Sequence, residues 1–93
     1  MGSKGGSERI TITDNVGQGS NQPCKMVVIM PASGNSGTVR VNIDDVCTAT
    51  TGIPVAKHAA DAGNYLVVYV ENLLQLHFYG TADDDIVDLL WMY

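Results

Sequence analysis

Few residues of the chain are equipped for chemistry, and the densest group is the carboxylate run Asp83, Asp84 and Asp85. Clustered carboxylate oxygens are the ligands that Ca²⁺ and Mg²⁺ take. Successive residues of an extended chain point to opposite faces, however, so three Asp between apolar segments read as a solvated turn marking strand ends, and no metal ligand is assigned. Asp44 and Asp45 read the same way. His58 and His77 are the only imidazoles, and Cys24 and Cys47 the only thiols. A Cys–His pair joined by the fold would supply a nucleophile and its base, because a thiolate forms near neutrality only beside a base or a cation. Nothing in the pattern joins them. His77 falls on the outer side of its strand, His58 lies in an Ala-rich connection, and Cys24 opens an apolar run, where a thiol acts as a small core hydrophobe. Two Cys without CxxC spacing make no zinc site, the Gly-rich residues 17–20 and 34–37 lack the helix and Lys of a phosphate cradle, and no Ser stands in G-x-S-x-G. The expectation is a non-enzymatic chain with no catalytic residue and no cofactor.

The remaining functional signal is aromatic. Tyr65, Tyr69 and Tyr79 fall on the side opposite the aliphatic positions of their strands, and Trp91, Met92 and Tyr93 end the chain. Side chains with an apolar body and a polar tip are enriched in protein interfaces and sugar-binding platforms, so these six are the expected interface residues.

The elements that position them must be short. Ten Gly and three Pro divide 93 residues, of which 45% are apolar and 16% charged. That length supports one small domain with a thin stability margin, for which oligomerisation or docking on a larger partner is the available stabiliser. A formal net charge of −5 is wrong for a nucleic-acid or anionic-membrane binder. The longest apolar run of the strand-like kind, Leu66-Val67-Val68-Tyr69-Val70, spans no membrane, and the N-terminus has no secretory apolar core, so the chain is expected in a cytosol with both thiols reduced.

Period-two alternation sets the strands. Ile10 and Ile12 share a face before an Asp14-Asn15 turn; residues 16–23 read as a loop; residues 24–30 form an apolar run suited to a central strand. The turn cluster 33–37 is expected to close a hairpin onto residues 38–43, with Val39, Val41 and Ile43 inward. Ile53-Pro54-Val55 reads as a short edge strand, residues 56–62 as at most a helical turn, and residues 64–70 as a strand with Leu66, Val68 and Val70 inward. After a bend at Glu71-Asn72, Leu74, Leu76 and Phe78 are expected in the core, and in the last strand Val87, Leu89, Trp91 and Tyr93 share one face. The fold class is all-β, a small antiparallel β-sandwich or barrel of about six or seven strands. Residues 1–7 are expected as a flexible Gly/Ser-rich arm and residues 8–93 as a single domain.

The order of the motifs carries a resemblance. Pro23-Cys24-Lys25 before an apolar strand, Gly34-Asn35-Ser36-Gly37-Thr38, Gly52-Ile53-Pro54, Glu71-Asn72-Leu73 and Gly80-Thr81-Ala82 succeed one another as in a type of small tailed-phage virion protein, which the chain resembles over residues 12–91. The Ala-rich residues 56–63 depart from that pattern. The resemblance implies a β-sandwich of structural use, in first place a capsid decoration or cement protein that forms a dimer or trimer and docks on the major capsid protein in the virion. The alternative it implies is a tail or fibre module that recognises a host-surface glycan or protein.

Overall fold

The alternating segments are strands, as their β-branched and aromatic content favours. The computed structural model describes residues 5–55 and 65–93. Its eight strands are β1 (Gly5–Thr11), β2 (Val16–Gln18), β3 (Met26–Pro31), β4 (Val39–Ile43), β5 (Ile53–Val55), β6 (Leu66–Val68), β7 (Leu76–Gly80) and β8 (Ile86–Met92), with one 3-10 turn at Leu73–Gln75. They form two antiparallel four-stranded sheets, ordered β1-β8-β3-β6 and β2-β7-β4-β5. The inner faces meet in one core whose fully buried members include Phe78, Ile12, Ile29, Leu73, Leu76 and Leu89. The shortest extent of the molecule, 19 Å, is the thickness of two sheets packed about 10 Å apart plus their side chains.

The expected parity holds for Ile10 and Ile12, Val39 and Val41, Leu76 and Phe78, and Val87 and Leu89, all buried, and β5 is an edge strand. The pairing does not follow chain order. Only β4 and β5 are neighbours in both sequence and sheet, and every other connection passes between sheets. Residues 33–37 therefore do not close a hairpin. Their polar groups go to the start of β8: Asn35 Nδ2 donates to Ile86 O at 2.8 Å, and Ile86 N–H donates to Asn35 Oδ1 at 2.7 Å. A side-chain amide thus stands in for a strand neighbour. The Ser36 and Gly37 N–H groups donate to the two oxygens of the buried Asp85 carboxylate at 2.8 and 2.7 Å. Gly37 is needed at this crossing, because a Cβ there would lie 2.2 Å from Thr81 Oγ1.

Four further expectations are corrected. Residues 5–7 are not arm but the first part of β1, paired with β8 from Gly5↔Met92 onward. Main-chain pairing needs no side chain, and Gly6 leaves room for the Trp91 ring, which a Cβ would approach to 2.8 Å. Residues 16–18 are not loop but strand: Asp14 (φ 52) and Asn15 (φ 70) make a tight left-handed turn that returns the chain along β7. Ile43 is exposed at the end of β4. Leu74 is exposed and Leu73 fully buried instead, because the 3-10 turn shifts the phase. That turn is set by a capping box in which the Asn72 side chain accepts from Leu74 N–H and Gln75 Oε1 accepts from Asn72 N–H at 2.9 Å. The helical turn expected at 56–62 lies outside the described residues.

Candidate functional site

Each sheet has one face on the core and one outer face, and alternation dictates what each outer face carries. On β1-β8-β3-β6 the register aligns Ser7, Leu90, Val28 and Val67 in one row across all four strands. A second row runs Gly5, Met92, Met26, and a third Arg9, Asp88, Met30. Tyr65 and Tyr69 flank β6 in phase with Val67, while Leu66 and Val68 pack on the core. The result is an apolar surface with Leu90 at its centre, 51% exposed, and the two Tyr at its border, 61% and 77% exposed. A shallow open depression of about 210 Å³ lies between Ser7, Val28, Met30, Asp88 and Leu90. The charged groups of these rows are Arg9 and Asp88, paired with each other at 2.9 Å.

The outer face of β2-β7-β4-β5 is built from other residues. Its rows are Val16, Tyr79, Arg40, Pro54 and Gln18, His77, Asn42. Here the polar side chains are used within the molecule. Arg40 Nε donates to Thr51 O at 3.0 Å and its Nη2 to Gly52 O at 2.9 Å; Gln18 Nε2 donates to Leu74 O at 2.9 Å.

The six residues expected at an interface are thereby distributed. Tyr65, Tyr69 and Met92 lie on the apolar outer face. Tyr79 is on the opposite side of the sandwich, beside Arg40. Trp91 alternates inward, paired with Val27 and Gly6 and packed on the core. Tyr93 follows the end of β8, with the Lys25 ammonium 5.7 Å above its ring. Met26, Val28, Met30, Val67 and Leu90 were not among the expected residues. The signal for all of these but Val67 was present in β3 and β8, which are apolar at both parities, a pattern of strands covered on two sides.

Cys47 and His77 do come together, in the wall of an open cleft of about 310 Å³ shared with Val16, Gln18, Val46 and Phe78. Cys47 Sγ donates to Thr51 O at 3.5 Å, and no hydrogen bond among the described residues joins it to His77. Burial pushes the Cys47 thiol up, against a smaller downward pull from Arg40, and burial alone pushes Cys24 up. Both thiols are free and buried. Among the described residues no group of three or more His, Cys, Asp or Glu is placed to hold a metal ion. Of the carboxylate run, Asp85 is engaged by the 36–37 amides, Asp83 accepts from Asn15 N–H at 3.3 Å, and Asp84 turns the chain at φ 68. No family model matches the chain, and neither the curated proteins nor the solved structures contain a match to it.

Proposed function

We propose that the chain is a non-enzymatic structural protein that assembles through the apolar outer face of β1-β8-β3-β6, and that its setting is the virion of a tailed phage, as a decoration or cement protein. The observation that carries the assembly half is the continuous surface of Met26, Val28, Met30, Val67, Leu90 and Met92 on a two-layer fold. An apolar sheet face rimmed by Tyr is the kind of surface that marks protein association. The motif order described above supplies the setting, and the major capsid protein is the partner it implies. A cementing chain acts in many copies, so a modest interface per copy holds through multivalency.

The test is the copy number of the chain in purified particles by quantitative mass spectrometry. A number on the scale of the capsid subunits supports the decoration role. A handful of copies assigns it to tail or fibre, and absence removes the virion setting.

A further inference from the structure

This inference rests on reading the apolar outer face as an assembly surface, and concerns what covers it. We infer that the occupant is a second copy of the chain, giving a two-fold dimer in which the two β1-β8-β3-β6 sheets lie face to face. Charge selects the occupant. Each copy carries a formal net charge of −5, so two copies repel least where neither presents net charge. The outer face of this sheet meets that condition, because Arg9 and Asp88 neutralise each other there. The carboxylates of Asp14, Asp44, Asp45, Glu71, Asp83 and Asp84 lie in the connections between strands. A partner recognised by complementary charge would be drawn to those connections and not to the sheet face.

Shape and size agree with this. Four strands about 4.8 Å apart, with a rise of about 3.3 Å per residue, make a face of about 20 by 20 Å. Two such faces bury about 800–1,000 Å², the size of a weak, transient interface. Met26, Met30 and Met92 suit a surface that must pack on its own image, because unbranched thioether chains adapt to irregular gaps. The central row of Leu90 and Val28 lies on itself for either in-plane direction of a central two-fold axis.

The experiment is sedimentation velocity of the full chain from about 1 µM to about 1 mM, the span in which such an interface titrates. The expected result is a monomer–dimer equilibrium that Leu90→Glu weakens about tenfold or more, and that Val46→Glu, a change at a somewhat more exposed residue off this face, leaves unchanged. Val67→Glu provides a second disruption at the β6 side, and thermal melts at low concentration confirm that each variant folds. Mixing Leu90→Glu with Leu90→Lys should restore association that neither variant shows alone, because the central row brings the opposite charges together. A wild-type chain that stays monomeric throughout overturns the inference, including the case in which another segment of the same chain covers the face. A dimer insensitive to both disruptions, or no recovery in the mixture, overturns it as well. The virion setting fails separately: a chain that dimerises this way but is absent from particles keeps the dimer and loses the setting. A monomer whose Leu90→Glu variant is lost from particles keeps the setting and gives the face to another protein.

Discussion

The two outer faces of the sandwich share one core and one architecture, yet their residues do different work. On β2-β7-β4-β5 the outward side chains bond within the chain, as when Arg40 holds the carbonyls of Thr51 and Gly52 and Gln18 holds that of Leu74. On β1-β8-β3-β6 the outward side chains are mostly aliphatic, and the Arg9–Asp88 pair is the exception. A substitution on the first face therefore removes part of the fold, whereas one on the second removes surface offered to something else. A face whose side chains contribute little to the isolated molecule is the one available for assembly.

The sharpest break in this comparison runs between consecutive residues of β8. Leu89 is fully buried and Leu90 half exposed. Leu89→Ala leaves a cavity beneath the sheet and is expected to cost about 2–5 kcal/mol, lowering Tm by ten degrees or more in a domain of this size. The check is a thermal melt at low concentration beside Leu90→Ala, which is expected within about 0.5 kcal/mol of wild type.

Asp85 comes next, because it fastens the crossing from one sheet to the other. Asp85→Asn keeps the shape but exchanges one acceptor oxygen for a donor facing an amide N–H, with an expected loss of about 1–3 kcal/mol in urea unfolding. Hydrogen exchange should show the Ser36 and Gly37 amides opening first.

How much of this was legible before folding follows from the same residues. Parity was legible: Val87 and Leu89 against Asp88, or Leu76 and Phe78 against His77, assign their own faces by alternation. Partners were not, because alternation says which residues share a face and not which strand lies beside them. The GNSG cluster looks like a hairpin turn locally, and only the distant Asp85 and Ile86 make it a crossing. Leu73 and not the expected Leu74 is in the core because the three-residue 3-10 turn, set by the Asn72–Gln75 capping box, resets the phase. The apolar outer face was hidden in a correct observation, the two-sided apolarity of residues 24–30. Such a strand is central, but a two-layer fold covers only one of its sides. Aromatics drew attention instead, and they divide between the two faces and the core.

A smaller effect tests the polar face. Arg40→Ala removes two hydrogen bonds to backbone carbonyls and is expected to cost about 1–2 kcal/mol, with no change in self-association. The thiols add a comparison between the sheets, since Cys24 packs before β3 and Cys47 lies by the cleft at β2 and β7. Both are raised in the folded chain, so the stability linked to them is complete below the ordinary thiol pKa of about 8.5 and is lost as pH rises through it toward the native values. Arg40 offsets part of the rise at Cys47 and nothing offsets it at Cys24. Cys47 lies in the wall of an open cleft and Cys24 does not, so iodoacetamide labelling of native protein should reach Cys47 before Cys24, and equal rates would remove the distinction.

The smallest change in folding stability should accompany the largest change in behaviour. Leu90→Thr with Val67→Thr keeps two β-compatible side chains and shortens apolar surface that the isolated chain leaves in water. Folding to the monomer leaves Leu90 51% and Val67 37% exposed, so the double variant is expected to cost about 1 kcal/mol or less in urea at low concentration. Association buries both, so self-association should fall and the concentration dependence of Tm should flatten, since a partner that binds only the folded form stabilises it by the logarithm of its concentration over Kd. The matched change on the other side, His77→Thr with Tyr79→Thr, should do the reverse, lowering monomer stability and sparing association. If both pairs alter folding stability equally and neither alters association, the two faces are equivalent and the division of labour drawn between them is wrong.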